Sequence, residues 1–430
     1  MKTRPEIVFC ADDFTGASDT LATLVRRGLD ARLYLRPPNV ADNPEMADLD
    51  AIGVATSLRS MPREAGARRL REIAADIAPM NACVNHLKVC STFDSSPEIG
   101  NIAAAADAFA DATGARWIAI VGGQPSLGRY CLFGHLFATA ADQAMHRIDR
   151  HPVMSVHPIT PMSEADLRLH LRRQGWERIG LVAYPEYRRG AADLAELIEE
   201  RQASGERRTL FDISCEDDLA VIGAALRRLA TRQTVLCIGG SSVAEAMCPR
   251  EERPRPRPRP ITAPPPSGPV FVFAGSRSAV TAEQVRRASS YVKIPVAPAA
   301  LSTGPERTGL VERCRTSLAQ GSNVLAYLIE SDGPGPSGRS LAEATAGFVE
   351  EAISGARICC LAIAGGDTSS IAVERLDVVS ISVIADFDHG VPLVRAHAAN
   401  RLDGLPMILK GGQMGSPDIF DRLACGTARA

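Results

Sequence analysis

Ten short apolar runs, none broken by the strict polar alternation of a half-exposed strand, set the tightest limit on what this chain can fold into. On the amino-terminal side they read EIVFCA (6–11), AIGVAT (51–56), WIAIVGG (117–123), IGLVAY (179–184), RTLFDIS (208–214) and TVLCIGG (234–240). On the carboxyl-terminal side they read VFVFAGS (270–276), NVLAYLI (323–329), ICCLAIAGG (358–366) and VVSISVI (378–384). A strand that is apolar on both faces has to be covered on both, which is the condition of a largely parallel sheet. Amphipathic segments such as DLAELIEERQ (193–202) lie between the runs and supply the covering helices. The expected fold class is α/β, with two layered domains on largely parallel sheets.

The segment EERPRPRPRPITAPPPSGP (251–269) separates the two sets of runs. Arginine alternating with proline, followed by three consecutive prolines, can form neither a helix nor an interior strand and favours an extended spacer. The expected organisation is a domain at 1–250, a linker at 251–269 and a second domain at 270–430, consistent with a length of 430 residues, more than one core usually organises. A net charge of −2 argues against a broad nucleic-acid surface. No run approaches the roughly 18 to 20 apolar residues that cross a bilayer. MKTRPEIVFC leads straight into the first strand without the apolar region of a signal peptide, so a cytoplasmic location without membrane partners is expected. Eleven cysteines without CxxC spacing read as small core residues in a reducing compartment.

In parallel sheets, ligands sit beyond the carboxyl ends of the strands. After the first run come Asp12 and Asp13, then Thr15, Gly16 and a third carboxylate, Asp19. Adjacent like charges repel, so the pair makes better sense facing a cation or a proton to be moved. LKVCSTFDSSPEIGNI (87–102) gathers Lys88, Ser91, Thr92, Asp94, Ser95 and Ser96 into one polar loop, a donor density that suits a hydroxylated anion such as a sugar acid. Arg59, in TSLRS after another run, could clamp a carboxylate bidentately. His157 precedes a helix that Ser163 is expected to cap, and a structural use of this histidine is favoured.

In the second half, AGGDTSS (364–370) follows a strand expected at 358–363; Gly365 and Gly366 permit close backbone approach, and Thr368, Ser369 and Ser370 can cap a helix whose free N–H groups receive phosphate oxygens. AGSRSAVTAEQ (274–284) repeats that logic with Ser276 and Ser278, then Thr281 and Gln284 at capping-box spacing. LKGGQMGSPDIF (409–420) sets Lys410 before Gly411, Gly412 and Gly415, a combination suited to a polyphosphate. Lysine is scarce: of 48 basic residues only Lys2, Lys88, Lys293 and Lys410 are lysines, so one inside a polar loop suggests a use for a compact ammonium. No GxxxxGK[ST] occurs, so this is not a P-loop. For each loop the alternative is a bare strand-to-helix turn. IGGSS (238–242) reads as structural or substrate-lining.

Taken together, Asp12 to Asp19, the Lys88 loop, GSRS, GGDTS and KGGQMG resemble the four-carbon acid sugar kinase family along nearly the whole chain. The resemblance implies a sugar acid in the first domain, ATP in the second and Mg²⁺ on its phosphates. On the matching positions Asp12, Asp13, Arg59, Lys88, Ser91 and Asp94 would face the sugar acid, and Ser276, Gly365, Gly366, Asp367, Thr368 and Gly412 the nucleotide. Many members carry K-x-D-S-T-x-R in the lysine loop; here Cys90 and Asp94 replace the aspartate and arginine, as in the branch that includes 3-oxo-tetronate kinases and relatives acting on branched oxo acids. Threonate, erythronate and 3-oxo-isoapionate stand as alternative substrates. Within this reading Asp13 is the base, Asp12 orients substrate or a Mg²⁺-bound water, and Lys410 steadies the transferring phosphate. The linker would allow domain closure and equally a homodimer with exchanged domains. A haloacid-dehalogenase phosphatase needs D-x-D-x-[TV], which DDFT does not match; a non-catalytic sensor would leave three phosphate-suited loops without a purpose.

Overall fold

The protein is described here by a computed structural model covering residues 4–38, 43–140, 142–248, 268–302, 304–330, 335–388 and 390–426. The chain divides into two compact units, Met1–Arg255 and Pro256–Ala430. The linker assigned to 251–269 lies outside the described residues except for Gly268 and Pro269. Among the described residues no helix is long and apolar enough to cross a membrane.

The first unit carries strands β1 (Ile7–Ala11), β2 (Ala31–Tyr34), β3 (Ala51–Ala55), β4 (Val84–Lys88), β5 (Ile118–Val121), β6 (Arg129–Leu132), β7 (His135–Thr139), β8 (Met145–Arg147), β9 (Gly180–Val182), β10 (Arg208–Phe211) and β11 (Val235–Gly239). Its helices are α1 (Phe14–Arg26), α2 (Arg63–Ile77), α3 (Ile102–Thr113), α4 (Leu167–Arg173), α5 (Gly190–Ala203), α6 (Glu216–Ala230) and α7 (Ser242–Met247). The strand order is β2-β3-β1-β4-β11-β5-β10-β9, with every pairing parallel. Strands β6 to β8 form a separate antiparallel sheet. All five residues of β1 are buried, as expected of a strand covered on both faces. Gly53 of β3 leaves the room that the Phe9 ring fills; truncating a phenylalanine so buried typically costs about 3–5 kcal/mol. From β1 the chain winds to one side through β2 and β3, then crosses back to β4 on the other, which makes the β1/β4 boundary a topological switch point and the natural place for a ligand.

The second unit contains β12 (Val270–Ala274), β13 (Val292–Val296), β14 (Val324–Leu328), β15 (Cys360–Ala364), β16 (Val378–Asp388), β17 (Val391–Ala398) and β18 (Pro406–Lys410), with helices α8 (Ala279–Arg287), α9 (Pro305–Ala319), α10 (Gly338–Ile353), α11 (Gly366–Arg375) and α12 (Ile419–Cys425). The order β13-β14-β12-β15-β18-β17-β16 is parallel from β13 to β18. It ends in an antiparallel β16–β17 ribbon, itself antiparallel to β18. Here the switch point lies between β12 and β15, whose following loops are the two serine- and glycine-bearing segments.

Four sequence expectations need correction. The strand expected at 358–363 is Cys360–Ala364, so Gly365 follows it directly. VVSISVI is no parallel interior strand but part of the antiparallel ribbon. Lys88 and Lys410 are the last residues of β4 and β18, not loop residues. VNHLK was not read as a strand because three of its five residues are polar; Asn85, His86 and Lys88 are nonetheless all buried. His86 is accommodated as a neutral ring: burial pushes its pKa down to about 3, and Nε2–H donates to the Gly239 carbonyl at 3.2 Å.

Candidate active site

In the first unit the carboxyl ends of β1, β3, β4 and β11 are tied together by backbone bonds. Asp12 N–H donates to the Lys88 carbonyl at 2.9 Å, Arg59 N–H to the Asp12 carbonyl at 3.0 Å and Val89 N–H to the Gly239 carbonyl at 2.9 Å. Residues far apart in sequence are thereby held in one corner.

The paired carboxylates of that corner are answered by Arg59. Its Nε and Nη2 donate to the two Asp12 oxygens at 3.1 and 2.9 Å, and Nη2 also reaches Asp13 Oδ1 at 2.9 Å. The bidentate clamp expected of Arg59 therefore closes on the chain's own Asp12. Burial raises the Asp12 pKa above the ordinary carboxylate value, Arg59 pulls it down and the Asp13 charge pushes it up again. Burial works against the Arg59 charge as well, but the carboxylates of Asp12, Asp13 and Asp94 outweigh it and hold the guanidinium protonated.

Asp13 divides its work between two oxygens. As N-cap of α1 its Oδ1 accepts the Gly16 N–H at 3.1 Å, alongside the Arg59 bond. Its Oδ2 has no hydrogen-bond partner among the described residues. Lys88 is only 4% exposed, and its ammonium likewise makes no hydrogen bond among the described residues. A Cβ added at Gly16 would collide with both Lys88 Nζ and Asp13 Oδ1, so the glycine is what lets cation and carboxylate approach the same turn.

The loop after β4 is strongly constrained. Phe93 sits at φ 54°, an uncommon conformation for a bulky residue. The Phe93 carbonyl accepts from Ser95 Oγ at 2.8 Å and from His170 Nε2 at 3.1 Å, while Gln174 Nε2 donates to Ser95 Oγ at 2.7 Å. Thr92 Oγ1–H donates to Asp94 Oδ1 at 2.6 Å. Because that proton is spent, the Cys90 thiol is the donor in the 2.9 Å contact with Thr92 Oγ1, and burial, pushing its pKa up to about 11, keeps it a thiol. Ser91 is buried with its Cβ side against Gly240. Ser96 is structural, its Oγ accepting the Glu98 and Ile99 N–H groups at 3.2 and 2.9 Å. His157 is also structural: its Nδ1 accepts the Thr160 N–H at 3.1 Å. The following helix is capped by Asp166, not Ser163. His170 and Gln174 escaped sequence reading, since nothing local distinguishes them from other polar residues of an amphipathic helix. The IGGSS loop joins the same unit through Ser241, whose Oγ donates to Asp19 Oδ2 at 2.5 Å and accepts from Thr20 Oγ1 at 3.0 Å.

In the second unit the loops after β12, β15 and β18 converge. Gly275 and Ser276 N–H groups both donate to the Ala364 carbonyl, at 2.9 and 3.0 Å, and Gly365 N–H donates to the Lys410 carbonyl at 2.9 Å. Gly365, at φ 141°, is the N-cap of α11, so Gly366, Asp367 and Thr368 open that helix, and Thr368 is a first-turn residue rather than its cap. Ser278 caps α8 by accepting the Thr281 N–H at 3.1 Å, and its hydroxyl donates to the Gly412 carbonyl at 2.5 Å. Thr281 and Gln284 do not form the expected capping box. Thr281 Oγ1 donates to the Gly412 carbonyl at 2.8 Å, and Gln284 Nε2 donates to the carbonyls of Met414, Gly415 and Ser416 at 3.0, 2.9 and 3.1 Å. Both side chains thus shape the glycine loop. A Cβ at Gly412 would overlap Ser276 Oγ, so the two loops touch only because that residue is glycine.

Lys410 departs from the expectation of a lysine reaching out of its loop. It is 2% exposed, with Nζ donating to Gly411 O at 3.1 Å and Thr281 Oγ1 at 3.3 Å. Burial lowers its pKa to about 8. It underlies the loop as a buried cation that forms no ion pair among the described side chains, a charge that an incoming anion would satisfy.

Two parallel α/β units, one with a carboxylate–cation corner at its switch point and one with convergent glycine and serine loops at its own, define a class of phosphotransferases with separate acceptor and nucleotide domains. Residues 7–247 match the sugar-binding N-terminal domain family, and residues 271–420 match the nucleotide-binding C-terminal domain family. The chain belongs to the four-carbon acid sugar kinase family. It is 32% identical to a 3-oxo-isoapionate kinase of Paraburkholderia graminis, covering 96% of this chain and 93% of that one. It is also 32% identical to a 3-oxo-tetronate kinase of Cupriavidus necator, covering 97% and 96%. Its fold is that of a solved Salmonella typhimurium protein described as a putative tRNA synthase (TM-score 0.81, 23% identity, 98% of each chain). A Haemophilus influenzae protein from a domain-of-unknown-function family shares it too (TM-score 0.77, 24% identity, 96% of this chain and 98% of the other).

Proposed function

We propose that this protein is an ATP-dependent kinase that phosphorylates a hydroxyl of a small oxo sugar acid, a 3-oxo-tetronate or its branched 3-oxo-isoapionate counterpart. The observation that carries the reading is the division of labour in Asp13, which has one oxygen locked by Gly16 N–H and Arg59 and the other without a partner among the described residues, beside the buried Lys88 ammonium. The sugar acid's carboxylate binds Lys88 and the remaining Arg59 N–H groups, and its reacting hydroxyl donates to Asp13 Oδ2. That hydroxyl oxygen attacks the γ-phosphorus, its proton passes to Asp13, the bond to the β,γ-bridging oxygen breaks, and ADP leaves. Asp12, held at both oxygens by Arg59, keeps that guanidinium oriented. The ATP phosphates bind the N–H groups opening α11 and the loop at Gly411 to Gly415, with Ser276 and Ser278 at its border.

Mg²⁺ fits this scheme as an ion carried in with ATP. Among the described residues no group of three or more His, Cys, Asp or Glu could form a dedicated metal cage, which suits an ion held mainly by ATP phosphate oxygens and water with at most one or two carboxylates. When bound, it neutralises phosphate charge. A coupled ADP-release assay with 3-oxo-tetronates, 3-oxo-isoapionate, threonate and erythronate tests the reading; turnover of an oxo acid supports it. Absence of acid-dependent ADP release across the set overturns it.

A further inference from the structure

Asp94 is 6% exposed, yet only one of its oxygens is used: Oδ1 accepts from Thr92, and Oδ2 has no hydrogen-bond partner among the described residues. Oδ2 is not among the fully buried side-chain atoms that lack a partner, so this one oxygen of an otherwise buried carboxylate opens to solvent, where a ligand can reach it. The residue is also not free to turn away. The Thr92 hydroxyl fixes one oxygen, and the Phe93 backbone beside it is pinned by Ser95 and His170. Its charge is felt by Arg59 and Cys90, which puts it in the electrostatic field of the Asp12–Asp13 corner.

An acceptor-only group in this place cannot bind the substrate's carboxylate. It can bind a hydroxyl. Resting on the sugar-acid kinase reading, we propose that Asp94 Oδ2 accepts a hydrogen bond from a substrate hydroxyl other than the one phosphorylated, making Asp94 the residue that selects acids hydroxylated at C2 over their deoxy analogues. Lys88 and Arg59 then recognise the anion, Asp13 the reacting hydroxyl and Asp94 the second one. A site built to bond a hydroxyl rejects a ligand lacking it more strongly than an apolar pocket rejects an extra group, because the bound ligand then covers the site's polar atom and leaves it unpaired.

The test pairs 3-oxo-tetronate with 4-hydroxy-3-oxobutanoate, which lacks only the C2 hydroxyl, and uses wild type, Asp94→Asn and Asp94→Ala. Wild type is expected to prefer the hydroxylated acid in kcat/KM by about ten- to a hundredfold, the range of a hydrogen bond to a charged group. In Asp94→Ala the ratio falls towards one, and Asp94→Asn, isosteric and still bearing an acceptor oxygen, lies between. The Asn variant decides the matter should the Ala variant fold poorly, with folding checked by thermal unfolding. Equal preference for the two acids in wild type, or a ratio unchanged in Asp94→Asn and Asp94→Ala, overturns the assignment of Asp94 while leaving the kinase reading intact. If wild type phosphorylates neither acid nor the branched pair, 3-oxo-isoapionate and its 2-deoxy analogue, the kinase reading falls and this inference with it.

Discussion

Replacing Asp13 by asparagine separates the two roles that its oxygens carry. The amide oxygen of Asn can still accept the Gly16 N–H and an Arg59 N–H, and Asn is as good an N-cap as Asp, so α1 keeps its start. Arg59 retains both bonds to Asp12. The Asp13–Arg59 pair is partly exposed, 26% for each side chain, so losing its charge costs at most about 1 kcal/mol after screening. The group lost is the basic Oδ2. Removing a general base slows the chemical step by about a hundredfold to ten-thousandfold, or roughly 3 to 5 kcal/mol in barrier. Asp13→Ala removes the cap as well, for about 1 kcal/mol, which lowers Tm by about 2–4 °C in a unit of this size. Steady-state kinetics at saturating acid and ATP, calorimetric ATP binding and thermal unfolding together give the readout. Expected are a kcat loss of about a hundredfold or more in both variants, ATP affinity unchanged, and a Tm loss in the alanine variant alone. An Asp13→Asn enzyme that folds normally and retains more than a tenth of wild-type kcat would refute the reasoning, because the free oxygen would then be dispensable.

Gly16→Ala should raise KM for the sugar acid by about tenfold or more and lower kcat as well, because the Cβ displaces both the Lys88 ammonium and Asp13 Oδ1. The weakened Asp13 cap, about 1 kcal/mol, offsets alanine's better helix propensity of about 1 kcal/mol, so Tm stays near that of wild type; an unchanged KM would separate Lys88 from substrate binding. Burial sets Lys410 to about 8, so at that pH it is about half protonated, and an adjacent phosphate should complete its charge. Calorimetry of ATP binding at pH 8 in buffers of different ionisation enthalpy should thus show uptake of up to ~0.5 proton that Lys410→Met lacks; identical proton counts would remove Lys410 from the phosphate site. His170, which packs near Arg173, Glu164 and Asp94, is depressed by burial to about 4 from an ordinary 6.5. The unfolded chain binds the extra proton first, so stability present above pH 6.5 is lost as pH falls towards 4, up to about 3 kcal/mol. Denaturant unfolding should show a shallower loss over that window in His170→Asn, and parallel curves would contradict the assignment.

How much was legible beforehand depended on whether the information was local. Continuous apolar runs announce buried strands, and β1, β3, β11, β12 and β15 were readable for that reason. The strand β4 was not, because Asn85, His86 and Lys88 imitate a polar loop until neighbouring strands bury them. Gln284 was legible as a polar helix residue and misread as part of a cap; its amide instead serves three carbonyls about 130 positions away. Arg59 was legible as a clamp, but not for which carboxylate.

The amino-acid sequence by itself determined that the chain forms two α/β units and which chemical groups stand at the strand ends, since burial periodicity and turn chemistry are encoded within a few residues. Only the tertiary structure decided which of those ends meet. The order β2-β3-β1-β4 brings Arg59 onto Asp12 across 47 positions and sets Lys88 against Gly16. In the second unit the order β12-β15-β18 lays Ser276 and Ser278 on the Gly412 loop. The apolar strands are nearly interchangeable in composition, so their order rests on the packing of whole layers, and that order aims each side chain at its partner or leaves it, like Asp13 Oδ2 and Asp94 Oδ2, with none among the described residues.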